Sequence, residues 1–216
     1  MKRIVIFCLL IVLLAGCSLP GVAERLVGSG NLVSRSYDLS GFTQIEADDA
    51  AQIVVTRGDA YSVNVEVDDN VESRLEVSVT GDTLHIGLAD GLYSNVTLQA
   101  QVTMPKLTGV TLNGASRLTG ELAGEDLTTN LNGASMLTLT GTAGRMTIQA
   151  NGASKVQLGG LAAGDVEVDA NGASRIEINT SGAVTGKANA ASVITVTGSP
   201  TSVSVQTEGA AKVITK

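Results

Sequence analysis

Tryptophan is absent from this sequence, and aromatic residues make up only 2% of it, none of them after Tyr93. Globular cores usually draw on several large rings. Hydrophobic content nevertheless reaches 44%, supplied by Val, Leu, Ile and Ala, so the interior is expected to be narrow. The only histidine is His85, and the only cysteines are Cys8 and Cys17. His/Cys metal clusters cannot be assembled from these, and a lone histidine on an alternating strand reads as packed or solvated rather than as a base. There is no Gly-x-Ser-x-Gly elbow and no Gly-x-x-x-x-Gly-Lys loop, the common signatures of acyl transfer and phosphate binding. No cofactor and no metal is expected. Basic residues are scarce as well: 14 Lys and Arg stand against 21 Asp and Glu, a net charge of -7. Nucleic-acid affinity rests largely on phosphate neutralisation by cations, so nucleic acid is excluded as a partner.

The first residues contain a leader. Lys2 and Arg3 precede an apolar run from Ile4 to about Gly16, too short to span a bilayer comfortably and of the length of a signal-peptide core. The run closes on Leu14-Ala15-Gly16-Cys17, which resembles a bacterial lipobox. Residues 1–16 therefore read as a lipoprotein signal peptide, and residues 17–27 as a lipidated N-terminus and short tether. Cleavage before Cys17 removes two cations and no acid, leaving 12 against 21, about −9. It also leaves no thiol for a disulfide or redox motif, since Cys17 carries the lipid. With two or three acyl chains, palmitate among them, such an anchor holds stably to a membrane. The expected location is the bacterial cell envelope. Ser18 favours the outer membrane in a cell with two membranes; otherwise the outer face of the cell membrane is expected.

The rest of the chain is written in repeats. Asn-Gly-Ala-Ser occurs at Asn113–Ser116, Asn132–Ser135, Asn151–Ser154 and Asn171–Ser174, followed by Asn189–Ser192 and the fainter Glu208–Ala211, at spacings of 19, 19, 20, 18 and 19. Each unit holds two alternating runs separated by Gly-rich turns and no helical period. Leu118, Leu137, Val156, Ile176 and Ile194 share one position; Met146, Val166, Val184 and Val203 share another. A fixed pitch with in-register apolar positions predicts an all-β, parallel β-helix or solenoid, one coil per repeat. Six coils stacked about 4.8 Å apart span about 29 Å. Regular repeats begin at about residue 113. In this reading Asn-Gly-Ala-Ser is a corner: glycine supplies angles closed to other residues, and Asn113, Asn132, Asn151, Asn171 and Asn189 form a ladder of amides. The Ser hydroxyls are expected to do likewise.

The N-terminal half is less regular. Ile45–Val55 and Val65–Leu75 place Asp48 and Asp68 twenty residues apart, which suggests two degenerate coils. Leu75–Leu88 reads as a hairpin, and Asn95–Pro105 as another strand. Tyr37, Phe42, Tyr61 and Tyr93 suit a β cap over the open solenoid end. Residues 28–216 are expected to form a single domain.

Gly28–Asn31 (GSGN), Ser40–Glu46 (SGFTQIE), Tyr61–Asn70 (YSVNVEVDDN), Gly81–Leu88 (GDTLHIGL) and Val102–Ser116 (VTMPKLTGVTLNGAS) resemble, in order and spacing, the bacterial head GIN domain family, described as an auto-transporter adhesin head. The resemblance runs from about Gly28 to the C-terminus. It implies a right-handed β-helix related in shape to pectin lyases but without their catalytic residues, and adhesion as the role. The lipobox departs from the auto-transporter description, so export through a pore of its own is not expected.

Two clusters remain as candidate sites. Asp165, Glu167 and Asp169 share a strand face; Asp165 aligns with Arg145 one coil before and Asp169 with Lys187 one coil after, which favours cross-coil charge pairing over an ion or acid catalysis. The position after each repeat Ser holds Arg117, Met136, Lys155, Arg175, Val193 and Lys212. Its four cations form an outward column that could meet an anionic polymer. The reading is therefore a lipid-anchored, non-enzymatic adhesion or interaction module, with the membrane and an envelope polysaccharide or surface protein as partners. The alternative is a β-helix glycan lyase or hydrolase of the envelope.

Replacing the lipid-bearing residue, Cys17→Ala, should abolish incorporation of labelled palmitate and leave the precursor uncleaved. Undiminished labelling of that variant would remove the lipoprotein assignment.

Overall fold

The structure, a computed structural model, describes residues 25–216; the expected leader and Cys17 lie outside the described residues. Two large sheets, one of nine strands and one of ten, and a two-stranded pair make up the fold. Each coil gives one strand to each large sheet. The coil that enters along Met146–Ala150 turns through Asn151–Ser154 and leaves along Lys155–Ala163 in the other sheet. The next coil lies on it in parallel register, Met146 beside Val166 and Lys155 beside Arg175. The molecule is thus a β-solenoid.

Alternation decides what fills it. Leu118, Leu137, Val156, Ile176 and Ile194 stack in one inward row, each at most 2% exposed. Met146, Val166 and Val184 form a row from the facing sheet, also buried. Val203, on the last strand of that row, is 37% exposed, because no further coil covers it among the described residues. The one 20-residue spacing has a local cause. Lys155–Ala162 carries one residue more than its register partner Met136–Thr142 across a register shift after Gln157, and the Gly159–Gly160 bulge accommodates it.

At the corners the Asn side chains hydrogen-bond up the stack. Asn132 Nδ2 donates to Asn113 Oδ1 at 2.9 Å, Asn151 to Asn132 at 3.1 Å, Asn171 to Asn151 at 3.2 Å and Asn189 to Asn171 at 2.8 Å. The following glycine is left-handed, with φ of 76° at Gly133 and 75° at Gly152 and Gly172. A Cβ on Gly152 would stand 2.6 Å from the Gly133 carbonyl oxygen of the coil below, so stacking as well as backbone angle disfavours a side chain there. Ala190 occupies the same place with φ 58°. The Ser hydroxyls differ from the expected ladder. They are buried, and all but Ser116, whose hydroxyl has no partner among the described residues, donate to carbonyls: Ser174 Oγ to Asn171 O at 2.6 Å and to Ala150 O at 3.1 Å, Ser192 Oγ to Asn189 O at 2.8 Å and to Ala170 O at 3.2 Å. A buried hydroxyl needs a partner, and the fixed carbonyls at the strand end lie closer than the next Ser.

Chain order and spatial order part at the N-terminal end. The coil made by Gln44–Ala47 and Gln52–Arg57 has Gly109–Leu112 and Arg117–Ala123 on one side, and Thr83–Leu88 and Leu98–Met104 on the other. The chain runs outward past its first coil and then returns to continue the stack. Asp48–Ala51 forms a true corner under Asn113–Ser116: Asn113 N donates to Ala47 O, and Arg117 N to Ala51 O. Asp68 does not head a coil. Ser62–Asp68 runs antiparallel to both of its neighbours, Leu32–Tyr37 and Leu98–Met104, and leads into the 3-10 turn Asp69–Arg74. Asp68 is fully buried, its carboxylate accepting from Gly30 N at 2.6 Å and Thr97 N at 2.7 Å. It clamps the Gly28–Asn31 loop, which is why it resembles a corner only in sequence. Leu75–Thr80 and Thr83–Leu88 form the hairpin. Phe42 is buried against Tyr61, ring centroids 4.8 Å apart, and the Tyr61 hydroxyl donates to Phe42 O at 3.1 Å. These elements form the cap.

Inward and outward positions should respond differently to the same change. Ile176→Asp places an unpaired carboxylate between Val156 and Ile194 and should cost several kcal/mol, whereas Arg175→Asp, one residue away and exposed, should cost less than about 1 kcal/mol. Chemical denaturation of the two variants reads the difference; equal losses contradict the alternation.

Candidate functional site

The parallel register turns the residue after each repeat Ser into a straight row across the ten-stranded sheet. Arg117, Met136, Lys155, Arg175, Val193 and Lys212 are successive partners, and Gln52 and Gln99 continue the row toward the cap. The four cations are exposed, while Met136 and Val193 are half-buried. Lys155 and Arg175 are therefore the one pair of cations on adjacent strands in this row. Among the described residues neither forms an ion pair, although Glu177 stands on the same face. Both border a shallow depression of about 220 Å³ that Gln157, Thr195 and Lys216 help to line. Two cations on strands about 4.8 Å apart repel each other modestly at a solvated surface, and a bound anion would relieve that repulsion.

Glu167 and Asp169 lie exposed on one strand of the nine-stranded sheet, Val166–Ala170, whereas Asp165, also exposed, lies in the bend just before it, so the three acids do not share one strand. The charge alignment is present, with Lys187 the register partner of Asp169, but the expected pairing is not. Among the described residues no ion pair joins Asp165 to Arg145 or Asp169 to Lys187. Instead Asp165 Oδ1 accepts from Ala183 N at 2.9 Å and Asp169 Oδ1 from Asn171 Nδ2 at 2.9 Å. Fixed amide donors cost less to order than long, solvated Lys and Arg side chains. No group of three or more His, Cys, Asp or Glu is placed to hold a metal ion among the described residues.

Folding back of the cap creates a neighbourhood that the linear sequence conceals. Glu46, His85 and Ser78 fall in one transverse row, His85 Nδ1 lies 3.1 Å from Glu46 Oε2, and His85 and Ser78 border a groove of about 490 Å³. The order of types is that of a hydrolytic triad. However, no hydrogen bond joins Ser78 to His85 among the described residues, so the contact between nucleophile and base is missing. Glu46 and His85 are 39 residues apart, and only the non-sequential order of the strands brings them together.

At the opposite corner Glu125 pairs with Arg57 at 2.9 Å beside a depression of about 730 Å³. Burial pushes its carboxyl pKa up, but the N–H of Ala123, its own N–H, Arg57 and Lys106 outweigh that and leave the pKa below the ordinary value. A depressed carboxylate stabilises the fold above the unfolded-state pKa, and that contribution is lost as pH falls through the folded-state value. Glu125→Gln should therefore lower Tm at pH 7 and progressively less below the ordinary glutamate pKa of about 4.3. A deficit that stays constant down the pH series removes the linkage.

Solved structures share this fold. One, described as a putative adhesin, from Bacteroides fragilis, has a TM-score of 0.71 at 20% identity, over 88% of this chain and 100% of that one. A second putative adhesin, from Parabacteroides merdae, has 0.55 at 14%, over 90% and 100%. A putative lipid binding protein from Parabacteroides distasonis has 0.53 at 16%, over 89% and 100%. No curated protein matches the chain. Residues 41–200 match the family described as "Putative auto-transporter adhesin, head GIN domain", and the chain belongs to that family.

Proposed function

We propose that this protein is a non-enzymatic adhesion module of the bacterial cell envelope, lipid-anchored at Cys17, with residues 17–27 as its tether and residues 28–216 as its binding head. Membership of an adhesin family and the likeness to proteins named adhesins support the general role. One observation carries the choice of surface: Lys155 and Arg175 stand side by side, exposed and without an ion-pair partner among the described residues, on a chain of net charge -7. Arg117 and Lys212 extend the same row. The partner is an anionic polymer, a polysaccharide or an acidic surface protein, laid across the strands so that successive anionic groups meet successive coils. The acidic remainder of the surface confines such a partner to this row.

The probe is alginate, a carboxylate polysaccharide. The parent protein should bind it, and Lys155→Glu with Arg175→Glu should weaken binding at least about tenfold, about 1.4 kcal/mol. Binding by the parent should also fade at 1 M salt, where the screening length falls to about 3 Å. If the double variant holds alginate as the parent does, the row is only a solvated face and the reading fails.

A further inference from the structure

Many side-chain amides in this molecule serve its own structure, although the exposed Gln149 and Gln206 make no side-chain hydrogen bond among the described residues either. The corner asparagines bond one another, Asn70 Nδ2 donates to Val27 O at 2.8 Å, Asn179 to Gly159 O at 3.3 Å and Gln44 to Asp82 at 2.9 Å. Near the capped end of the ten-stranded sheet three amides are free. Gln52 and Gln99 are register partners on neighbouring strands, and Gln101 is the partner of Val54 on the same two strands. All three glutamines are exposed, and none makes a side-chain hydrogen bond among the described residues. They border a shallow groove of about 350 Å³ that Asn64 and Glu66 of the antiparallel cap strand line from the other side. Val54, 50% exposed, puts an apolar patch in it. No lysine or arginine lines the groove.

We infer that this groove is a binding subsite for a segment of a neutral, hydroxyl-rich glycan. Each glutamine amide offers two donors and an accepting carbonyl. Amides about 4.8 Å apart across strands and about 7 Å apart along one can donate to one hydroxyl of a sugar ring and accept from the next. Glu66 accepts a further hydroxyl, and Val54 packs against the C–H face of a ring. The other occupants fit less well. A polyanion finds no cation lining the groove and meets the Glu66 carboxylate. An extended peptide needs an open sheet edge, and Leu98–Met104 and Gln52–Arg57 each have a strand on both sides. The subsite lies three strand steps from Lys155 along the same row, about 14 Å. It goes beyond the anionic partner proposed above, so either can fail without the other.

The experiment titrates the full-length chain in detergent micelles with cellohexaose, chitohexaose and mannohexaose, by calorimetry and by amide chemical-shift mapping. At least one of the three should bind saturably, with shifts centred on Gln52, Val54, Gln99 and Gln101. The triple variant Gln52→Ala, Gln99→Ala, Gln101→Ala should lose binding at least about tenfold with an unchanged circular dichroism spectrum and Tm, since all three positions are exposed. Lys155→Glu with Arg175→Glu should leave it intact. Because the triple variant removes three surface amides at once, Val54→Asp serves as a second test and should also abolish binding. The inference is overturned if none of the three sugars saturates, if the shifts centre elsewhere, or if binding survives in the triple variant.

Discussion

Each coil of this protein rests on the one below in parallel register, about 4.8 Å away, and the other features follow from that contact. Like residues sit on like residues, so a side chain that suits one coil must suit its neighbours. An amide is such a side chain: it donates to the coil below and accepts from the coil above, and four hydrogen bonds join Asn113 to Asn189 in a line. A glycine beside it is favoured twice, by its positive φ and, at Gly133, Gly152 and Gly172, by the carbonyl of the coil beneath, although Ala190 takes this place after Asn189. A small aliphatic is tolerated in the lumen because two sheets with one strand each per coil leave room for Leu, Ile and Val but no layer of rings.

A stack built this way has an open end, and the N-terminal region closes it by abandoning the rule. Leu32–Tyr37, Ser62–Asp68 and Leu75–Thr80 are antiparallel to their neighbours, which halts the in-register propagation that an exposed edge invites. The buried Asp68 carboxylate joins Gly30 and Thr97, 67 residues apart, through their backbone N–H groups, and the Ser29 hydroxyl and Asn70 amide complete the clamp on the same loop. The tilted ring contact of Phe42 with Tyr61 lies in this region, where lateral packing replaces stacking.

The same register arranges the surface chemistry. Outward positions become rows, and a row is useful to a long partner because its contacts repeat at the strand spacing. On the ten-stranded sheet one row changes from amides at Gln99 and Gln52 to cations at Lys155 and Arg175, so one flat face offers two chemistries. Beside and on the nine-stranded sheet Asp165 and Asp169 are engaged by a backbone and a side-chain amide, which leaves them less free to take part in anything else.

The sequence alone determined the repeated part. The pitch near 19, the shared apolar positions and the aliphatic composition fixed coils, inward rows and the outward cationic column, because in a solenoid sequence period and spatial period are the same quantity. It did not determine the cap, where no period exists. Asp48 and Asp68 sit in similar local sequence, yet one turns a corner under Asn113 and the other is buried as a clamp, and the difference lies in strands that are distant along the chain. Tertiary structure alone decided that the chain doubles back past its first coil, which sets His85 beside Glu46 and Gln99 beside Gln52. It also decided the partners of Asp165 and Asp169. Alignment in sequence brings charges to the same height, but the fixed donors of the folded backbone and the corner amide lie nearer than a flexible cation.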